Sequence, residues 1–172
     1  MRNLVVAAGL ALFASGAMAA DFGVGVSAKS DDGVIYVPID FSDKFRLEPS
    51  LRYYKEERND DPGFDSESDL LELGVGVFGK SKVTEAAQIY YGGRITYFDG
   101  SSKTGSSKTT VDGYGIAPTF GVEYVFGGHF SLGGEVAYAF EKTDSEDNSF
   151  FSNDIENETQ GTQTRLIFRF MF

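Results

Sequence analysis

Ten charged residues stand out by spacing and not by any short motif: Asp40, Arg46, Glu48, Arg52, Glu72, Arg94, Glu123, Glu135, Arg165 and Arg169. Each falls on the minor phase of a segment whose other phase is apolar. They comprise five acids and five arginines. A guanidinium and a carboxylate meet through two parallel hydrogen bonds, so a balanced set of these types is built for pairing. An unpaired member in a confined space would cost about 3–5 kcal/mol. The chemistry expected of this set is structural: a closed ion network that fixes register. Other constellations fail on context. Gly74-Val-Gly76-Val-Phe-Gly79 matches G-x-G-x-x-G but lies inside a strand pattern with no helix after it, so the dinucleotide reading falls. Asp144 to Asn148 is rich in oxygen ligands, but Ser149 stands where a calcium loop needs Gly. No metal and no cofactor are expected.

The elements that position the ten residues alternate with period two. Phe22, Val24, Val26 and Ala28 begin the pattern. It returns over 35–41, 45–53, 71–77, 87–97, 114–126, 130–140 and 164–172, eight segments in all. Helices would space their apolar residues by three and four; a strand with one apolar face uses two. The connections differ in length. Ser42–Lys44, Gly79–Glu85 and Gly127–His129 are short, whereas Glu56–Asp69, Asp99–Asp112 and Lys142–Thr159 are long and polar. Short turns at one end and long loops at the other are the layout of a membrane barrel.

Alternation alone also fits soluble barrels. The distribution of residue types decides. Large rings and branched side chains fill the major phase, and an eight-stranded lumen is too narrow to hold them all. With the apolar phase turned to lipid and the charged phase turned inward, both sets are accommodated. Closure also satisfies every backbone group without water. The expected fold class is an all-β, eight-stranded antiparallel up-and-down transmembrane β-barrel.

Composition agrees. The 172 residues include 15 Lys+Arg against 26 Asp+Glu, with no Cys and no Trp. Net charge is −11, which argues against nucleic-acid partners. The missing cysteines exclude thiol chemistry and disulfides. Residues 1–19 read as a secretory signal peptide: one Arg, an apolar run from Leu4 to Ala14, and Ala17-Met18-Ala19 as a small-residue cleavage site. Residues 20–172 are then the barrel domain.

The final segment has apolar residues at every second position back from a terminal Phe: Leu166, Phe168, Phe170 and Phe172. This resembles the C-terminal targeting strand of Gram-negative outer-membrane proteins, which implies recognition by the barrel-assembly machinery. With the strand count and export signal, the chain resembles the small eight-stranded outer-membrane barrels of the OmpX and OmpA-transmembrane type. It departs from them in lacking Trp, so Tyr53, Tyr91, Tyr97, Tyr124, Phe126, Phe130, Tyr138 and Phe140 are the candidates for the interfacial girdles. The resemblance implies an outer-membrane location, a monomer, and contact with outer-membrane lipids and lipopolysaccharide. A His-x-Ser spacing at His129 and Ser131, with Glu141, resembles that of outer-membrane lipid A deacylases. Ten residues of strand separate Ser131 from Glu141, roughly 33 Å, beyond the reach of a triad. No enzyme is expected.

Two readings of the lumen remain. Inward small residues, among them Gly25, Gly76, Gly121 and Ala137, leave room either for arginine stems or for a narrow porin-like channel. The plugged lumen is the primary expectation. Glu56–Asp69 and Glu141–Glu158 each carry seven acids and one cation, so the acidity belongs to the loops. Acidic loops suit a structural, adhesion or surface-protection role through an extracellular ligand. Phe64, Phe150 and Phe151 are the candidate contacts.

Overall fold

The computed structural model describes the backbone of residues 20–29, 32–60, 64–105, 107–147 and 154–172, and the side chains of all of these except 29, 32, 59, 60, 64, 65 and 154. The predicted signal peptide therefore lies outside the described residues. So do Phe150, Phe151 and the Phe64 side chain.

Nine strands form one closed antiparallel sheet, and no helix occurs among the described residues. They are β1 (Asp21–Lys29), β2 (Asp32–Tyr36), β3 (Ile39–Ser42), β4 (Phe45–Asp60), β5 (Phe64–Lys82), β6 (Ala87–Thr104), β7 (Ser107–Phe126), β8 (Phe130–Asp147) and β9 (Asp154–Met171). β2 and β3 both pair with β1 and β4, so they are two halves of a single barrel strand. Pro38 separates them. It has no N–H to give to a ladder, and its carbonyl accepts from the Gly23 N–H at 3.0 Å. Pairing of β1 with β9 closes the barrel at eight strands.

The register fixes the tilt. From Gly25, successive partners are Tyr36, Ser50, Gly74, Thr96, Gly115, Glu141 and Thr159. The path returns to β9 ten residues from Arg169, the residue that Gly25 faces directly. Such a stagger over eight strands goes with a tilt of about 35–45° and an interior just wide enough for side chains.

The outward phase is an apolar belt. On β7, Tyr114, Ile116, Phe120, Val122, Tyr124 and Phe126 are all exposed. The belt ends sharply at outward Lys55, Asp69, Asp99, Asp112 and Lys142. Rings gather at the end carrying the termini, where Phe126 meets Phe130 at 5.8 Å and Phe22 meets Phe172 at 5.6 Å. Burying such rings in hydrocarbon is worth about 25 cal/mol per Å².

The polar stretches read as long loops are strand in large part. The β4–β5 ladder continues to Asp60 opposite Phe64, and β6–β7 to Thr104 opposite Ser107. The physical reason is that a barrel ladder is a template: continuing it satisfies backbone groups that a loop would leave to water. Ser and Thr, abundant in β6–β7, tolerate that pleat. Gly105, at φ 59°, supplies the left-handed residue for the tight turn. Only β1–β2 stays short, its ladder ending at Lys29 opposite Asp32. Above it β4 to β9 stand as an open six-stranded wall.

Candidate functional site: a charged and aromatic lumen

Strand alternation sends Glu48, Arg46, Phe78, Lys80, Tyr90, Arg94, Glu123, Glu135 and Arg169 into the terminus-bearing half of the lumen, and all are buried. Their contacts form one continuous chain. Asp40 takes both Nε (2.6 Å) and Nη2 (3.0 Å) of Arg46, the cross-strand neighbour of Asp40. Arg46 Nη1 also donates to Glu123 Oε1 at 2.9 Å. Glu123 accepts further bonds from Arg169, from Gln88 and, at 3.2 Å, from Ser131 Oγ.

Arg169 Nη2 then donates to Glu48 Oε1 at 2.6 Å. The other oxygen of Glu48 accepts from Arg94 Nη2 at 2.8 Å. Arg94 closes on Glu135 through Nη2 at 2.7 Å and Nε at 3.3 Å. Glu48 is completely buried and carries two arginines at once. Because each buried charge has an opposite partner, desolvation is offset in part by Coulomb attraction and charge-assisted hydrogen bonds.

The remaining predicted residues sit nearer the far end. Arg52 pairs with Glu72, its cross-strand partner, at 2.7 Å, with both side chains partly exposed. Arg165 faces Glu135 across β8–β9, but the closest approach is 4.0 Å, and its Nη2 donates to Gln163 at 3.4 Å. Glu48 joins the charges near the termini to those further up the lumen, reaching Arg169 on one side and Arg94 on the other.

Sequence reasoning misses an aromatic component. Tyr36, Phe78 and Tyr90 lie on the same inward phase and are buried. Phe78 meets Tyr90 edge-to-face at 5.3 Å. The Arg94 guanidinium lies 4.8 Å from the Phe78 ring centre, and that of Arg169 lies 4.8 Å from Tyr90 and 5.5 Å from Tyr36. Arginine therefore uses its edge for carboxylates and its face for rings, each worth about 0.5–2 kcal/mol beyond burial. Tyr90 Oη donates to Glu135 at 3.1 Å. The rings stand where glycine leaves space. A Cβ at Gly25 would collide with the Tyr36 ring, and one at Gly121 with the Tyr90 ring.

Lys80 is missed as well, because the sequence pattern ends β5 before Gly79. The strand runs to Lys82, so Lys80 keeps the inward phase and donates to Asp40 Oδ2 at 2.5 Å. The signal is present in the sequence: Glu72, Gly74, Gly76, Phe78 and Lys80 share one parity. At the terminus-bearing mouth a cavity of about 450 Å³ is lined by Asp40, Arg46, Lys80, Glu123 and Ser131, so the network forms its floor.

Leu166, Phe168, Phe170 and Phe172 all point outward and are exposed. His129 is exposed in the β7–β8 turn, with Nδ1 3.0 Å from the Met171 carbonyl. Glu141 lies far along β8 and accepts from Gln163 at 3.2 Å. The three candidate nucleophilic-set residues are not brought together. Among the described residues no group of acids and histidines is arranged to hold a metal ion.

Known structures place this fold. The chain is similar to the crystal structure of Neisserial surface protein A, with 18% identity and a TM-score of 0.54 over 89% of this chain and 94% of that one. It is similar too to a major outer-membrane protein from Thermus thermophilus, with 14% identity and a TM-score of 0.56 over 90% of this chain and all of that one. No protein-family model matches the chain, and no curated protein matches it in sequence. The fold is that of the small eight-stranded outer-membrane β-barrels.

Proposed function

We propose that this chain is exported by residues 1–19 and resides in the outer membrane as a lumen-plugged barrel, a structural surface protein that displays a stiff acidic β-wall to the outside. The observation that carries the plug is the continuous layer of Arg46, Arg94, Arg169, Glu48, Glu123 and Glu135 between the rings of Tyr36, Phe78 and Tyr90. Small inward residues supply space, but the rings at Gly25 and Gly121 occupy it. That favours the plug over the narrow conduit.

The termini and short turns face the periplasm in this reading, and the tall β4–β9 hairpins face outward. Leu166, Phe168, Phe170 and Phe172 serve assembly. The belt contacts lipid and lipopolysaccharide. The acidic outer surface takes an extracellular ligand, and the barrel acts as a monomer without catalysis or cofactor. Mass spectrometry of the purified outer-membrane fraction tests placement and processing together. A mature N-terminus at Ala20 in that fraction is expected; an intact Met1 form in the cytoplasm contradicts the reading. Planar-bilayer recording tests the plug.

A further inference from the structure

The wall above the belt segregates charge by face. Its strands keep the parity of the barrel because no register shift interrupts β5 to β9. Over residues 66–70, 98–104, 107–113, 142–147 and 155–160, 11 of 14 outward positions are charged and one of 17 inward positions is, Asp147 at the end of β8. In a chain of net charge −11 that division is not a general dilution of charge. The inward face instead presents hydroxyls and amides, such as Ser102, Thr109, Thr143 and Asn157, above a half-buried Phe98 ring that lies over Gly113. Charge returns at its margins, with Glu56 and Arg58 on β4, Asp147 opposite Thr109 at the top of β8, and Glu141 below.

The face is open. Ser102, Asn157 and Thr159 are exposed, and Thr109 and Thr143 are half-exposed. Its hydroxyls are only lightly used: Ser68 and Ser102 share one bond of 3.1 Å, and Thr143 donates to the Asn157 carbonyl at 3.4 Å. A side entrance exists as well. Pairing of β2 with β4 stops at Ile35 opposite Leu51 and that of β1 with β9 at Ala28 opposite Leu166. The hairpin ladder runs on to Lys29 opposite Asp32, level with Tyr54 and Arg165, so β4 and β9 continue about six and eleven residues beyond it. The opening is about two strands, or roughly 10 Å, wide. On the β9 side it begins at the height of the belt, because Thr162 lies opposite Tyr138 of β8; on the β4 side it begins at Lys55, where the belt ends.

We propose that this concave face binds an uncharged oligosaccharide, namely the sugar chain of a neighbouring outer-leaflet glycolipid, which enters through the opening over the β1–β2 hairpin. Sugar hydroxyls both donate and accept, as do the Ser, Thr and Asn side chains that face them. A ring at the floor takes the apolar face of a sugar, and keeping charge to the margins of the face limits unpaired ions in the complex. A membrane-level entrance suits a chain rooted in the same membrane. The source of the sugar rests on the outer-membrane placement above; the chemistry of the face does not.

The test uses the full mature chain refolded in micelles, with heat-modifiable gel mobility as the folding control. Lipid-free, uncharged O-polysaccharide released by mild acid from lipopolysaccharide is the probe, and backbone amide NMR is the readout. Shifts at Ser102, Thr109, Thr143 and Asn157 that persist at high salt are expected. Thr143→Lys should weaken binding on the order of tenfold, while Glu146→Gln on the outward face should leave it unchanged. No shifts in the folded protein, or shifts on the charged face that fade with salt, would overturn the site. Shifts with dextran but none with O-polysaccharide would overturn the membrane source. Because micelles suffice, failure here is separable from failure of outer-membrane placement, which cell fractionation reads.

Discussion

Glu48 is the residue on which the lumen network turns. Its two oxygens face different arginines, Arg169 at 2.6 Å and Arg94 at 2.8 Å, and no solvent reaches it. Loss of its charge leaves two buried guanidinium groups under-compensated. Glu48→Gln should therefore destabilise the barrel by about 3–5 kcal/mol, the range for breaking a buried pair. The Arg52–Glu72 pair is closer to water at both partners, so Glu72→Gln should cost about 1 kcal/mol or less. Urea unfolding of the two refolded variants in the same micelles checks the contrast. Equal costs would mean that the buried layer is not a unit. The rings obey the same logic by volume. Gly121→Val drives a side chain into the space of the Tyr90 ring and should cost about 1–3 kcal/mol by overpacking. If Gly121→Val unfolds at the same urea concentration as the unaltered barrel, the Tyr90 ring does not occupy that space.

At the scale of the strands, much is legible in the sequence, because parity is a simple code. Phe120, Val122 and Tyr124 point out while Gly121 and Glu123 point in, as a period of two requires. The same code applied to apolar residues places Tyr36, Phe78 and Tyr90 in the lumen. Assigning every ring to lipid hides them. Lys80 is lost for another reason: Gly79 reads as a turn signal, yet the β5–β6 ladder carries the chain past it to Lys82. The polar stretches from Glu56 and from Asp99 read as loops because their composition is that of loops; only the template of the ladder below makes them strands. That template predicts a specific exchange pattern. The Met171 N–H bonds toward β8 and the Phe172 N–H toward β1, so the orientation alternates along β9. Above the β1–β2 hairpin, the even amides face an edge with no strand partner among the described residues. Amides of Asn157 and Thr159 should exchange slowly and those of Glu158 and Gln160 quickly. Uniformly fast exchange would mean that the wall is not a ladder in solution.

For the whole molecule, three surfaces are assigned by the two phases of one chain. The belt is apolar where the medium is lipid, the lumen is charged and self-paired, and most of the wall's charges face outward. Likeness in fold to other outer-membrane barrels cannot decide between plug and pore, since both share the architecture. The decision lies in the layer around Glu48. The most direct measurement is single-channel conductance of the refolded mature protein in a planar bilayer, run beside a Glu48→Ala and Arg94→Ala double variant that stays folded by gel mobility. Silence is expected from the unaltered barrel and openings from the variant. Steady openings from the unaltered, folded barrel would contradict the plug, because water and ions would then pass where the arginines, carboxylates and rings are held to meet.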